Sequence, residues 1–282
     1  MFRSMFDAII TAARSFFGNW KTMAAFVALF TALVIAVYLF FTTPEAKTWQ
    51  VALTFLLTLA IPVLFFMLQT LGVEYVNREH KLSEMLARTG KEFWKLLIIS
   101  LPVIALTWLV VWGINKFDVS LTAGIRDAAN SAGTAVAEKA GEERIKTLAT
   151  TITIVNALIL YFIVPLFSIH LWIATLQAGF KQAIVGLLRI IVRAFAPRSV
   201  LTYLLGLIIF GVLPYYIITT RTPIKSPWLD LTMLGLRIAL ALLVIMIGWI
   251  ITVGALALMT PPQPLSTNAE TELSPLSSEA AA

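Results

Sequence analysis

Six long apolar runs alternate along the chain with shorter polar segments, and each run is long enough to form a membrane-spanning helix. A helix needs about 20 predominantly apolar residues to cross the hydrocarbon core of a bilayer. The runs, named spans one to six, are 23–42, 51–73, 96–114, 152–177, 199–219 and 233–259. This pattern predicts an all-α integral membrane protein, a bundle of six transmembrane helices within 23–259.

The segment before span one has the period of a surface helix. Residues 2–17 place Phe and Ile side chains on one face and Arg, Ser and Thr side chains on the other, which is the 3.6-residue repeat of an amphipathic helix. Basic residues beside such a face favour a position in the membrane interface. Docking on the bundle is a compatible alternative. We therefore interpret 1–22 as an amphipathic interfacial helix.

Three segments outside the spans have their own compositions. Segment 180–198 has four basic residues and no acidic one, and its apolar part is too short to cross a bilayer, so we expect it at the interface. The connection 115–151 is rich in Ala and Glu with cancelling charges, so we expect a mostly helical extramembrane segment that offers a surface to a partner. The tail 260–282 is rich in Pro, Ser and Glu and is predicted to be disordered.

A basic interfacial segment followed by two spans occurs three times. An Arg-x5-Trp-Lys pattern in the first unit recurs in the second at an offset of 74 residues, and the third unit matches only in outline. Membrane interfaces favour Trp and Lys for physical reasons, so a genuine repeat and independent origins both stay open. The predicted interfacial anchors are Arg14, Trp20, Lys21, Arg88, Trp94, Lys95, Arg189, Arg193 and Arg198.

Composition and charge support a membrane location. Charged residues make up only 13% of the chain and mean hydropathy is +0.89, whereas soluble domains carry about 25% charged residues. The net charge is +6. Because the basic residues lie mainly beside the spans, the expected partners are anionic lipid headgroups and other membrane proteins, and not nucleic acid.

The distribution of Lys and Arg predicts the orientation. Twelve Lys and Arg residues lie on the side of the N-terminus and nine on the opposite side. Five of the nine are in the long connection, where residues distant from the span ends have less influence on orientation. Both termini are therefore predicted to be cytoplasmic. The layout is similar to that of several bacterial six-span families, which implies the bacterial cytoplasmic membrane.

Two stripes of polar side chains follow spans two and four. At 100° per residue the members of each stripe lie within about 60° of one another. They are interpreted as interhelical hydrogen bonds worth about 0.6 kcal/mol each, with the lining of a transport pathway as the alternative, and we expect the stripes to face each other. The residues are Thr54, Thr58 and Gln69 on span two and Asn156, His170 and Gln177 on span four.

The chain has no recognisable catalytic or cofactor motif. It has no Cys, two His, no phosphate-binding glycine loop and no nucleophile elbow. Every Asp and Glu lies outside the six spans, which argues against ion coupling through an intramembrane carboxylate. We therefore predict no catalytic site, cofactor or metal.

The expected function is a non-catalytic membrane protein that organises or supports other membrane proteins or lipids. The alternative is a transporter or channel for a small or lipidic molecule, not coupled to ions through an intramembrane carboxylate. Prolines in four spans favour this alternative if they act as hinges, whereas fixed kinks would only shape the bundle. These prolines are Pro62, Pro102, Pro165 and Pro214.

Overall fold

The computed structural model describes residues 2–44, 46–76, 81–220 and 226–260, and these are almost entirely helical. In this part of the chain six helices are long and apolar enough to cross a membrane. They contain the predicted spans in order, and the names span one to span six are kept for them: Trp20–Thr42, Thr48–Glu74, Leu82–Ala132, Glu138–Ala178, Pro197–Thr219 and Pro227–Met259. The prediction of an all-α integral membrane bundle is confirmed.

Within the described ranges, three further helices accompany the spans. The N-terminal helix is Phe2–Phe17, and two short linker helices, Phe180–Val185 and Leu187–Ala194, connect spans four and five. Gly179, with a φ of 89°, separates span four from the linker helices, a backbone conformation that favours glycine. The tail predicted to be disordered lies outside the described residues from position 261 onward.

Spans one and two, three and four, and five and six form three antiparallel hairpins, and the buried contacts between hairpins are concentrated at one end of the bundle. This core end contains the N-terminal helix, the linker helices, the beginnings of spans one, three and five, and the ends of spans two, four and six. Its largest fully buried side chains include Phe16, Phe26, Leu71, Leu96, Ile169, Tyr203 and Leu256.

Away from the core end the hairpins separate. Leu213–Thr219 of span five packs mainly on span six, and Ala135–Leu158 of span four packs mainly on span three. Large apolar side chains are consequently exposed along these outer halves, among them Phe41, Phe55, Leu106, Trp108, Tyr161, Tyr215, Trp228 and Leu236.

Spans three and four extend well beyond a bilayer. Span three has 51 residues and a length of about 76 Å at 1.5 Å per residue, compared with about 30 Å for the hydrocarbon core. It ends at Gly133, whose φ is 62°. Residues 115–151 therefore form two helical arms that continue these spans.

Two of the four prolines widen their helix. The π-helical turns Ile159–Ile163 and Ile208–Val212 end two residues before Pro165 and Pro214. Proline has no N–H and its ring crowds the carbonyl four residues earlier, and a π-helical turn is one way for a helix to accommodate this disruption. Pro62 and Pro102 lie in uninterrupted α-helix.

Candidate functional site

Tyr75 joins three elements at the centre of the core end. Its hydroxyl donates to the carbonyl oxygen of Ile250 on span six at 3.2 Å and lies 3.4 Å from that of Ala12 on the N-terminal helix. The rings of Phe16 and Phe26 meet it edge to face. Burial raises the pKa of Tyr75, so the phenol remains a neutral hydrogen-bond donor that fixes the N-terminal helix on the bundle.

Tryptophan side chains link the spans by hydrogen bonds. Trp249 Nε1 donates to Gln69 Oε1 at 2.8 Å and joins span six to span two. Trp172 Nε1 donates to Ser100 Oγ at 2.8 Å and joins span four to span three. The bond of Trp249 joins two hairpins, the bond of Trp172 joins the two spans of one hairpin, and both are polar contacts between helices at the core end.

His170 connects span four to the beginning of span five. Its Nδ1 lies 3.0 Å from the Leu166 carbonyl oxygen, and its Nε2 lies 3.1 Å from Ser199 Oγ. A carbonyl only accepts, so Nδ1 carries the proton, and in the neutral ring the Ser199 hydroxyl donates to Nε2. A serine nucleophile needs a histidine oriented by a third group. Here that position is taken by the backbone carbonyl of Leu166 on the same helix, and the bond from Ser199 to the ring joins span five to span four.

His170 and Ser199 also line a cleft of about 460 Å³ at the core end. The N-terminal helix forms one wall, the junction between the linker helices and span five forms another, and the end of span six closes the side. The lining residues are Ser4, Asp7, Ala8, Thr11, His170, Arg193, Ala196, Arg198, Ser199, Leu258, Met259 and Thr260.

The cleft holds two arginines and one carboxylate. Among the described residues, Arg193, Arg198 and Asp7 form no salt bridge. Arginine is always charged in a protein, so the arginines give the wall at the start of span five a positive potential. The arrangement is suited to an anionic group on one wall and a cationic group near Asp7 on the other.

The six residues of the predicted polar stripes lie in separate environments. Thr54 and Thr58 donate to backbone carbonyls of their own helix. Asn156 Nδ2 donates to Asn115 Oδ1 at 3.3 Å in the outer half of spans three and four. Gln177 Nε2 donates to the Thr260 carbonyl oxygen at 3.4 Å. In the described part of the chain no hydrogen bond joins the span-two stripe to the span-four stripe, because Gln69 is paired with span six and His170 with span five.

The predicted anchors are distributed around the core end. Trp20 and Trp94 are largely exposed. Arg88 pairs with Glu74 at 3.3 Å, and Lys95 pairs with Glu92. Arg14, Lys21 and Arg189 are exposed, whereas Arg193 and Arg198 line the cleft.

Four residues of this region were not among the sequence-predicted sites: Asp7, Glu74, Tyr75 and Ser199. Glu74 is the last residue of span two and only 3% of its side chain is exposed. A carboxylate directly after a long apolar run is a sequence feature that could have marked Glu74 as a candidate. Asp7 could have been marked as the only acidic residue of the N-terminal helix. Nothing in the sequence indicates the neighbours of Tyr75 or Ser199.

A second cleft, of about 480 Å³, lies between the two helical arms that extend spans three and four. Most of its lining is small, including Gly124, Ala128, Ala129, Ala140 and Gly141. These residues allow the arms to approach closely, so this cleft is explained by the packing of the hairpin.

No family model, curated protein or solved structure matches this chain.

Proposed function

We propose that the protein is a non-catalytic scaffold of the bacterial cytoplasmic membrane that holds transmembrane segments of partner proteins against its outer halves. On this proposal the core end, which contains the N-terminal helix and the end of span six, faces the cytoplasm. The observation that carries the proposal is the uneven packing of the bundle, which is closed at the core end and separates into three hairpins beyond it.

The distribution of polar groups supports a scaffold over a transporter. A pathway across the bundle would bring Gln69, Asn156 and His170 to one cavity. Instead, Gln69 is 1% exposed and paired with Trp249, and Asn156 lies in the outer half. The cleft beside His170 is lined only by residues of the core end. The three polar groups therefore have different partners in different parts of the bundle.

The outer halves supply the apolar surface that a partner helix needs. Association of helices within a membrane depends on close packing and hydrogen bonds, since lipid is as apolar as the side chains. Separated hairpins leave faces of spans three, four and six available for such packing. The helical arms at 115–151 would extend the contact into the aqueous phase beyond the bilayer.

Exposed apolar stripes at the core end support an interfacial position for its helices. On the N-terminal helix, Phe2, Phe6, Ile10 and Phe17 are exposed and fall within about 80° of one another on a helical wheel. Met5, Ala8, Ala12 and Phe16 on the neighbouring face are buried against the bundle. The N-terminal helix can therefore pack on the bundle with one face and contact the headgroup region of the bilayer with the other.

The scaffold function is tested by photocrosslinking in the native membrane. A photoreactive residue replaces Leu106 or Leu236 in the outer halves, and Val192 on the linker helices serves as the control, since all three side chains are largely exposed. We expect discrete protein adducts of the same masses from positions 106 and 236 and lipid adducts alone from 192. Lipid adducts alone at all three positions would overturn the proposal. Solute flux in proteoliposomes of the purified protein would instead support the transporter.

A further inference from the structure

We propose that the core-end cleft binds the headgroup of a phospholipid, with Arg193 and Arg198 on the phosphodiester and Asp7 on the ammonium group of a phosphoethanolamine headgroup. This assigns a specific ligand site to a surface that the scaffold function does not require. A variant that loses partner binding in the outer halves should still bind lipid in this cleft.

The size of the cleft suits a lipid headgroup. Small-molecule sites have volumes of about 300–1,000 Å³, and the cleft measures about 460 Å³. Its lining comes from the N-terminal helix, span four, the linker region, span five and the end of span six, so the cleft exists only when all five elements are assembled. Leu258 and Met259 provide an apolar side for the glycerol end of the lipid.

The phosphate position is defined by more than the arginine charges. Guanidinium groups bind phosphate oxygens through paired, charge-assisted hydrogen bonds. Span five begins beside them, with Pro197 in its first turn and no capping side chain at Ala196. Ala196, Arg198 and Ser199 line the cleft, so this helix N-terminus lies beside the proposed phosphate, and a helix N-terminus favours an anion.

Asp7 makes the cleft suited to a zwitterion. It lies on the polar face of the N-terminal helix, lines the same cleft as the two arginines, and forms no salt bridge among the described residues. A phosphodiester alone would leave this carboxylate without a cation. The ammonium group of phosphoethanolamine lies a short covalent distance from its phosphate, so a single headgroup satisfies both charges.

The cleft is also placed where a lipid can reach it. The exposed Phe2 and Phe6 of the N-terminal helix and the exposed Leu188 and Val192 of the linker helices border this end of the bundle. These side chains favour the headgroup region of the bilayer. A lipid can therefore place its headgroup in the cleft while its acyl chains stay in the membrane.

The test is a titration of the full-length protein in detergent, monitored by native mass spectrometry. Phosphatidylethanolamine and phosphatidylglycerol of matched acyl chains are compared, with glycerophosphoethanolamine and inorganic phosphate as soluble probes. We expect the wild type to prefer phosphatidylethanolamine and to bind glycerophosphoethanolamine more tightly than phosphate. Substitution R193Q/R198Q should weaken both lipids about tenfold, since each bond to a charged group is lost.

Matched variants distinguish a built site from general basic charge. R189Q removes a basic residue from the same linker region but outside the cleft, and should leave both affinities within about twofold because exposed charges act weakly at a distance. R193K/R198K retains the charge without the planar fork and should give intermediate affinities. Thermal melts of each variant identify any that fail to fold.

Two outcomes overturn the proposal. Equal losses in R189Q and R193Q/R198Q would show diffuse attraction to the basic surface, and wild-type affinities in R193Q/R198Q would show that the arginines are not ligands. D7N tests the ammonium contact separately, since it should remove the preference for phosphatidylethanolamine while keeping the affinity for phosphatidylglycerol. An unchanged preference in D7N would overturn the assignment of Asp7.

Discussion

Trp249 on span six donates its indole N–H to the side-chain oxygen of Gln69 on span two, across 2.8 Å. The two residues are 180 positions apart in the chain, and their bond joins the first hairpin to the third. Gln69 is almost fully buried, so its side-chain amide depends on this partner for a hydrogen bond. The contribution of the bond to the free energy of unfolding can therefore be measured.

We expect Gln69→Leu and Trp249→Phe each to destabilise the protein, because each leaves a polar group without its partner. Interhelical hydrogen bonds in membranes contribute about 0.6 kcal/mol on average and at most about 1.7. Unfolding of both single variants and the double variant in mixed detergent gives the coupling energy. Thr58→Val is the control, since Thr58 bonds only its own helix. Additive effects of the two substitutions would contradict a direct bond.

Gly254 tests the contact between Tyr75 and span six. A Cβ at this position would lie 2.7 Å from the Cζ atom of Tyr75, and both elements are fixed by packing. We expect Gly254→Ala to cost about 1–2 kcal/mol, because overpacking outweighs the gain in helix propensity. Gly235→Ala on the same helix has open space within 4 Å and should be neutral or slightly stabilising. Thermal melting in detergent distinguishes the two, and equal melting temperatures would refute the tight contact.

The pair of Glu74 and Arg88 tests a buried carboxylate at the end of span two. Glu74 is 3% exposed, Arg88 is 43% exposed, and their charged atoms are 3.3 Å apart. Removal of Arg88 takes one charged partner away from a carboxylate that is shielded from water. We expect Arg88→Gln to cost about 1–2 kcal/mol, less than a fully buried pair, because water screens the arginine.

The same unfolding assay supplies the comparison for this pair. Glu74→Gln in the Arg88→Gln background should restore part of the lost stability, since the buried charge is then absent. Arg189→Gln, an exposed arginine on the linker helices, should change the melting temperature little. A larger loss in Arg189→Gln than in Arg88→Gln would show that the ion pair is not the cause.

The orientation in the membrane is tested by reporter fusions. The core-end side has more Lys and Arg, so the positive-inside rule predicts that both termini are cytoplasmic. A fluorescent protein fused at Ala282 should be fluorescent, and alkaline phosphatase inserted within 125–140 should be active. Phosphatase activity from a fusion at Ala282 would reverse the orientation, and with it the side on which the lipid-binding cleft is placed.

The two polar stripes show what helical periodicity in the sequence can and cannot predict. Helical spacing grouped Gln69 and His170 with the other polar positions of spans two and four, and both side chains are buried. It did not identify their partners, which are Trp249 and Ser199 on other spans. A polar position is a local property, whereas a partner depends on how two helices are rotated and crossed.

The sequence by itself determined the six-span, all-α architecture, because run length and polarity decide which segments can exist as helices in lipid. It also located the basic residues at the ends of the spans. Only the tertiary structure decided which faces of those helices are buried, that the hairpins join at one end, and that Asp7, Arg193 and Arg198 share a cleft. Helix faces that contact lipid and helix faces that contact other helices are both apolar. The hydrophobic pattern along a span therefore does not indicate which face packs against another helix.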